Sequence, residues 1–283
     1  MIRCLRNSTS KGMLRGTGKR VCILGGIVLV LLAVCWVAWV MWGRGLVVFN
    51  PQPMKDANTY ARRYAAWSES RRSFEVGGEQ LDGWFQEKPG APLIVFCPGR
   101  GRDVASYLSA VDSWPVAKLL VNYRGSGRSS GWPSEETVVD DMIRVVETIL
   151  QETGRNWSQV VLVGNSLGTG VATYIAARRS VGRLILCVPF DSFGACARMY
   201  APDWMVSVLV GGIFRSDLYA PRIKVPVVIL AATHDRQIPV EQARRLRDRF
   251  ADVSYEEFPG GHEAIWARPE ARRSLKEHAC APL

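Results

Sequence analysis

The sequence predicts an α/β protein with a mostly parallel sheet that helices cover on both faces. From residue 92 onward, short apolar runs alternate with longer stretches in which apolar residues recur at helical spacing. Most of these runs are apolar throughout, which is typical of strands buried on both faces of a parallel sheet. The 283 residues, 48% of them hydrophobic, suit one domain of roughly 230–240 residues and a separate N-terminal segment.

The elements can be placed in order along the chain. Residues 73–76 and 81–86 predict an antiparallel pair that turns at Gly77 and Gly78. Ser134 can cap a helix, because apolar residues follow it at helical spacing, and a second helix is predicted over 168–179. The remaining strands are predicted over 92–97, 116–123, 159–164, 183–190, 225–230 and 253–258. Residues 192–222 are long for a simple crossover, and we interpret them as a candidate helical lid.

Four segments are predicted: a polar tail (1–20), an apolar helix (21–42), a connector (43–66) and the α/β domain (67–283). Residues 21–42 carry no charge and would span roughly 33 Å as a helix, enough for the core of a bilayer. A cleaved signal peptide usually has a shorter apolar region, about 7–15 residues. The stretch "LLAVC", ending at Cys35, resembles a lipoprotein signal. The bulky Val34 and the continuing apolar run favour an uncleaved anchor instead.

Positive charge is concentrated ahead of the domain. The formal net charge is +10, of which residues 1–44 supply +7 and the remaining residues only +3. By the positive-inside rule, this distribution keeps the N-terminus in the cytoplasm and places the domain outside it. In a bacterial inner membrane the domain would face the periplasm. The charge is thus an orientation signal, and no nucleic-acid partner is expected.

The stretch "VGNSLGTG" (163–170) places Ser166 between Gly164 and Gly168, where a predicted strand ends and a helix begins. Glycines relieve the crowding of so sharp a turn, because they have no Cβ. The helix N-terminus then points its amides at whatever the serine attacks. In this strand–turn–helix context, G-x-S-x-G indicates a nucleophile elbow. The alternative is an ordinary Gly/Ser turn.

A serine nucleophile needs a base within hydrogen-bond reach and an acid that orients the base. His262 and His234 both follow predicted strands, whereas His278 lies in a charged, helical stretch. Loops at the carboxyl ends of strands are where open α/β sheets place their sites. Asp235 and His262 meet this condition on two different strands. Adjacent His234 and Asp235 would be hard to aim at one another.

Two alternatives involve the same loops. Asp191 follows the strand predicted over 183–190 and could supply the acid instead of Asp235. A zinc site could be built from His234, Asp235 and His262, although no paired-ligand spacing supports it.

Several stretches resemble the α/β-hydrolase superfamily. The order Ser166, Asp235, His262 is the order of its catalytic residues. "NYRGSGRSSGWPSEE" (122–136) is similar to a stretch of a membrane-anchored branch related to the protein-depalmitoylating hydrolases. "AATHDRQIPV" and "FPGGHEAIW" resemble the acid and histidine loops of that branch. The resemblance runs from about residue 76 to 266. It implies an α/β-hydrolase fold in which Ser166 is the nucleophile, His262 the base and Asp235 its orienter.

The sequence departs from this pattern after the strand predicted over 92–97. It reads C-P-G-R-G-R (97–102) where relatives carry H-G-N or H-G-G. The resemblance implies that the backbone amides of Arg100 and Leu167 hold the oxyanion. The side chains of Arg100 and Arg102 either point to solvent or bind a carboxylate or phosphate of the substrate.

These observations predict a membrane-tethered serine hydrolase that cleaves an ester, thioester or amide through an acyl-enzyme on Ser166. Its partners would be an acyl-containing substrate and, through residues 21–42, the membrane; no cofactor or metal is implied. The alternative is a non-catalytic, membrane-anchored scaffold that retains the fold. Seven cysteines do not form a disulfide framework in a chain of this length. An oxidising compartment would permit a bond between Cys187 and Cys196.

Overall fold

A computed structural model describes residues 10–54, 56, 58 and 64–283. The chain divides after Arg44 into two compact units. In the first unit, helix α1 (Ser10–Ala38) is followed by a π-helical turn (Trp39–Gly43), and the side chains of residues 23–37 are exposed. None of the described helices combines the length and the hydropathy that a membrane crossing requires. The anchor over 21–42 stays a prediction, and residues 1–9 of the predicted tail lie outside the described residues.

The second unit is built on one sheet, and its described strands follow the order β1-β2-β4-β3-β5-β6-β7-β8. The antiparallel pairings are β1 with β2 and β2 with β4, and all later pairings are parallel. The mostly parallel sheet predicted from the sequence is therefore confirmed. The strands are β1 (Arg71–Val76), β2 (Glu79–Gln86), β3 (Leu93–Cys97), β4 (Ala117–Val121), β5 (Val160–Asn165), β6 (Arg183–Cys187), β7 (Val227–Ala232) and β8 (Val253–Phe258).

The strand order reverses around β3, and this reversal indicates where a crevice forms at the edge of the sheet. The chain leaves β3 for β4 on one side and then returns to β5 on the other side. In open α/β sheets a crevice forms outside the carboxyl ends of the strands at such a switch point. Here those ends are Cys97 of β3 and Asn165 of β5.

Helices cover both faces of this sheet, and short 3-10 turns precede or follow several of them. The α-helices are α2 (Arg44–Phe49), α3 (Leu108–Val111), α4 (Glu135–Thr153), α5 (Leu167–Ala176), α6 (Phe193–Ala197), α7 (Asp203–Leu209), α8 (Ser216–Tyr219), α9 (Val240–Arg247), α10 (Ala264–Ala267) and α11 (Pro269–Cys280). The 3-10 turns are Ala65–Ser70, Val104–Tyr107, Trp157–Gln159 and Ala220–Arg222. As predicted, Ser134 caps α4: its side chain accepts from the Thr137 amide.

Apolar side chains of the strands pack into two hydrophobic cores, one on each face of the sheet. Val95 packs in the first core, whereas its neighbours Ile94 and Phe96 pack in the second. This alternation explains why the runs are apolar throughout, since every side chain of β3 is buried. Fully burying such a side chain is worth about 1.5–3 kcal/mol relative to leaving it exposed.

Part of the predicted connector belongs to the first core. Val48 and Phe49 are buried, and the Phe49 ring meets the rings of Tyr123 and Phe214 edge-on, with both pairs of centroids 5.9 Å apart. Residues 48–49 are therefore part of the packed core of the domain as well as of the predicted connector. Residues 55, 57 and 59–63 of the connector lie outside the described residues.

The segment over 192–222 is helical, as predicted, and contains α6, α7 and α8. Val206 anchors it in the first core, while Tyr200 and Trp204 are 73% and 69% exposed. Its role as a lid stays a prediction. Cys196, in α6, is a free thiol that donates to the Gln242 side chain, and Cys187 is a buried free thiol. The two are therefore not bonded in this structure.

Candidate active site

Ser166 lies in the sharp turn between β5 and α5. Its backbone has φ 52° and ψ −119°, a region that non-glycine residues occupy at a cost of about 1–3 kcal/mol. The surroundings hold it there: the Ser166 amide donates to the Cys187 carbonyl at 2.9 Å, and the Thr169 amide donates to the Ser166 carbonyl at 2.9 Å. The strand, turn and helix predicted from the sequence are all present.

The two flanking glycines are required by close backbone approaches. A Cβ on Gly164 would lie 2.6 Å from the Gly168 carbonyl oxygen. A Cβ on Gly168 would lie 2.0 Å from the carbonyl oxygen of Cys97, at the end of β3. The second contact lets the new helix pack directly against the loop that follows β3.

The structure brings Ser166, His262 and Asp235 together. His262 Nε2 lies 2.9 Å from Ser166 Oγ, and His262 Nδ1 lies 2.6 Å from Asp235 Oδ2. The side chains of His262 and Asp235 are 11% and 1% exposed. A carboxylate can only accept hydrogen bonds, so the neutral imidazole that acts as a base carries its proton on Nδ1 and presents the lone pair of Nε2 to the serine.

Backbone amides fix the orientation of the acid. Asp235 Oδ1 accepts from the amides of Gln237 at 2.8 Å and Ile238 at 2.9 Å. These bonds occupy one carboxylate oxygen and leave the other aimed at His262. The loops after β7 and β8 are also joined, because the His234 amide donates to the Gly260 carbonyl at 2.9 Å.

The loop after β3 runs alongside the nucleophile. A Cβ on Gly99 would lie 3.4 Å from Ser166 Cβ and 3.3 Å from Asn165 Nδ2. The predicted oxyanion donors are the amides of Arg100, in this loop, and Leu167. Because Leu167 is the first residue of α5, its N–H has no acceptor within the helix. These positions agree with an oxyanion hole beside Ser166, and the assignment stays a prediction.

Both arginines of this loop have partners in the structure. Arg100 Nε donates to the Val47 carbonyl at 2.9 Å, and burial lowers the pKa of its guanidinium. Arg102 forms an ion pair with Glu263, the residue after His262. The predicted contact of Arg100 with substrate therefore has no support from its side-chain contacts, whereas Arg102 lies beside the histidine loop.

The alternative acid and the other histidines have other partners. Asp191 pairs with Arg245 at 2.7 Å. His234 Nδ1 lies 3.0 Å from Thr233 Oγ1, and His278 Nε2 lies 2.7 Å from Glu256. Among the residues that the structure describes, no group of three His, Cys, Asp or Glu side chains is placed to hold a metal ion.

Sequence reasoning missed the residues that support the nucleophile from behind. Asn165 accepts a hydrogen bond from Trp266 Nε1 at 2.8 Å and donates to the Tyr107 hydroxyl at 3.2 Å. Tyr107 also accepts from the Gly99 amide, and burial raises its pKa to about 12. The available signal was the amide side chain of Asn165 at the end of an apolar strand, where a buried polar group needs partners.

Comparison with known proteins agrees with this geometry. Residues 92–205 match the family model described as "alpha/beta hydrolase fold". The chain is 30% identical to "Lysophosphatidylserine lipase ABHD12" of Gallus gallus, over 77% of this chain and 65% of that protein. The protein of the same name from Xenopus tropicalis is 31% identical, over 72% of this chain and 61% of its own length. The chain therefore spans less than two thirds of these two lipases.

Solved structures share the fold. An α/β hydrolase from Vibrio vulnificus superposes with a TM-score of 0.65 at 19% identity, covering 80% of this chain and 84% of its own. A monoacylglycerol lipase from Paleococcus ferrophilus gives a TM-score of 0.56 at 20% identity, covering 71% and 98%. At these identities the likeness concerns the fold alone.

Proposed function

The chain belongs to the α/β-hydrolase superfamily, and we propose that it is a serine hydrolase that cleaves an ester, thioester or amide of a fatty acid. One observation carries the proposal: His262 lies within hydrogen-bond distance of both Ser166 and Asp235. A nucleophile, a base and an orienting acid in this relation form the acyl-transfer arrangement that recurs on unrelated folds.

The reaction proceeds through an acyl-enzyme. Ser166 Oγ attacks the substrate carbonyl carbon while its proton passes to His262 Nε2, and Asp235 stabilises the imidazolium that forms. The tetrahedral intermediate collapses, the bond to the leaving group breaks, and His262 returns the proton to that group. A water molecule then attacks the acyl carbon while its proton passes to His262 Nε2. The bond to Ser166 Oγ breaks, His262 returns the proton to that oxygen, and the acid leaves.

The amides of Arg100 and Leu167 are proposed to hold the developing oxyanion. Both donors are backbone groups, so no side chain has to move when charge develops on the oxygen. In other serine hydrolases, loss of one such donor costs about 2.7–4 kcal/mol of transition-state stabilisation. Replacing either side chain leaves these backbone donors in place.

A lipid-like acyl substrate is favoured over a small polar one. The two similar curated proteins are lysophosphatidylserine lipases by name. The segment over 192–222 also exposes apolar side chains, including Tyr200, Trp204 and Val208. Exposed apolar patches of this kind mark sites that contact lipid or partners.

A fluorophosphonate probe with the wild-type protein and Ser166→Ala gives the direct test. We expect covalent labelling of the wild type and loss of labelling in the variant, because phosphonylation requires the activated hydroxyl. Equal labelling of the two proteins would mean that the nucleophile lies elsewhere. Folded wild-type protein that takes up no probe would support the scaffold alternative.

We also propose that residues 21–42 tether the hydrolase to a membrane, with the domain outside the cytoplasm. The supporting observations are the uncharged apolar sequence, the basic residues ahead of it and the exposed apolar side chains of residues 23–37.

We expect protease added outside intact spheroplasts to digest the domain, and the intact chain to remain with membranes after a carbonate wash. Digestion that occurs only after the membrane is breached would show that the domain lies on the cytoplasmic side. Release by carbonate would contradict the anchor.

A further inference from the structure

Residues 45–54, within the predicted connector, run beside the loop after β3 and are fixed to the domain at two points. At the first point Phe49 is buried in the core. At the second, the Gly127 amide donates to the Gln52 carbonyl at 3.0 Å, and the Met54 amide donates to the Gly127 carbonyl at 2.8 Å. We call this segment the strap. Because it is held at both points, its carbonyl groups are fixed acceptors for the loop beside it.

The strap holds the proposed oxyanion donor Arg100 through two hydrogen bonds. Arg100 Nε donates to the Val47 carbonyl at 2.9 Å, and the amide of the next residue, Gly101, donates to the Phe49 carbonyl at 2.9 Å. Gly101 has φ 64°, in the left-handed region that favours glycine. A Cβ there would lie 2.7 Å from Asn50 Nδ2. The loop after β3 therefore lies directly against the strap.

The backbone amide of Arg100 is left open by this arrangement. Among the residues that the structure describes, none accepts a hydrogen bond from this N–H. An oxyanion hole requires such a donor, unoccupied but held in place before charge develops. Within the same described residues, the Arg100 guanidinium is paired with no carboxylate. The backbone carbonyl of Val47 is thus the contact that orients this side chain.

We infer that the Arg100 side chain is a positioning group, which holds the Arg100 amide toward Ser166 by its hydrogen bond to the Val47 carbonyl. This inference rests on the proposed serine hydrolase function and gives the side chain a role other than substrate contact. Without the side chain the amide is still present, but the loop keeps only the bond from Gly101 to the strap. The N–H then moves away from the developing oxyanion, and a misplacement of about 1 Å can cost about 100-fold in rate.

Two replacements of similar length separate the hydrogen bond from the charge. Arg100→Gln places an N–H donor where Nε stands, whereas Arg100→Met places a methyl group there. We expect Arg100→Met to lower kcat for nitrophenyl octanoate by about 10- to 100-fold. KM should stay nearly constant, because the lost interaction belongs to the transition state. Arg100→Gln should recover most of the loss.

Inhibition by an octyl trifluoromethyl ketone gives a readout that a purely structural role would not change. Ser166 Oγ adds to the ketone carbon, the serine proton passes to His262, and the former carbonyl oxygen becomes the anion in the proposed oxyanion hole. The inhibition constant should therefore rise in Arg100→Met by about the same factor as kcat falls. An unchanged inhibition constant would overturn the inference.

Arg183→Met is the matched control. The Arg183 guanidinium also donates to backbone carbonyls, those of His278, Ala281 and Pro282. It lies at the first residue of β6, at the end of the strand opposite the site. We expect a lower melting temperature and a kcat per fluorophosphonate-reactive site within about twofold of the wild type. The same pattern in Arg100→Met would show a structural role alone and overturn the inference.

The remaining outcomes separate this inference from other claims. The nitrophenyl monoester of suberic acid has the chain length of the octanoate and carries a carboxylate. A loss confined to this ester, and equal in Arg100→Met and Arg100→Gln, would overturn the inference in favour of substrate binding by the charge. Wild-type turnover with an unchanged kcat in Arg100→Met would overturn the inference alone. Folded wild-type protein that neither turns over nor takes up the fluorophosphonate would overturn the proposed function and this inference with it.

Discussion

Replacement of His262 by alanine is expected to lower kcat by about 10⁴- to 10⁶-fold, the range produced by removing single members of the triad in a characterised serine protease. Without the imidazole, the Ser166 hydroxyl loses the base proposed to accept its proton, because His262 Nε2 is the nitrogen that lies 2.9 Å from Oγ. The domain should remain folded, because Asp235 keeps its two bonds to the amides of Gln237 and Ile238. Turnover of a short-chain nitrophenyl ester and a thermal melt in detergent measure the two effects.

His234→Ala is the control for that experiment. His234 is also a histidine in a loop after a strand of the sheet, but it is exposed and its Nδ1 meets Thr233. It should retain activity within about twofold, as is usual for surface substitutions away from special features. A large loss with His234→Ala and little with His262→Ala would reverse the assignment of the base.

Much of the fold is predictable because β3, β4, β5 and β7 are buried on both faces. A residue such as Val95 is constrained by one core and its neighbour Phe96 by the other, so whole runs become apolar and mark the strands clearly. The elbow is predictable for a related reason. A Cβ on Gly164 or Gly168 would lie 2.6 or 2.0 Å from a backbone oxygen, so both positions require glycine.

Ion pairs within the family-like stretch are only partly predictable. Arg124 and Asp141 form a close pair with bonds of 2.6 and 2.9 Å. The residue types made a pairing plausible, since buried charges require partners. The sequence does not indicate which acidic residue pairs with Arg124.

Contacts between remote segments, other than those among Ser166, Asp235 and His262, could not be predicted. Arg102 meets Glu263, and Trp266 bonds to Asn165, across more than 100 residues of chain in each case. Such pairs follow from the order of strands in the sheet, which places the loops after β3, β5 and β8 at one edge. Periodicity identifies strands but does not order them. The packing of Phe49 in the core was missed for the same reason.

Gly168→Ala is expected to destabilise the domain by about 3 kcal/mol or more, at or beyond the upper end of the usual cost of overpacking. The added Cβ would lie 2.0 Å from the carbonyl oxygen of Cys97 and 2.7 Å from that of Pro98. Both are backbone atoms, so the conflict cannot be relieved by rotating a side chain. Either α5 or the loop after β3 must shift, and that loop carries the proposed oxyanion donor Arg100.

Because α5 or the loop after β3 must shift in Gly168→Ala, we expect activity to fall by more than the loss of folded protein explains. Moving the Arg100 amide away from Ser166 removes a proposed oxyanion donor. The folded molecules of Gly168→Ala should therefore turn over substrate more slowly than the wild type. Gly212→Ala is the control, because a Cβ there meets no atom within 4 Å and its φ is not in the left-handed region. Urea unfolding in detergent gives the stability, and the rate per mole of fluorophosphonate-reactive sites gives the activity. If Gly168→Ala and Gly212→Ala unfold at the same urea concentration, the close approach of α5 to Cys97 does not constrain the loop after β3, and this prediction is wrong.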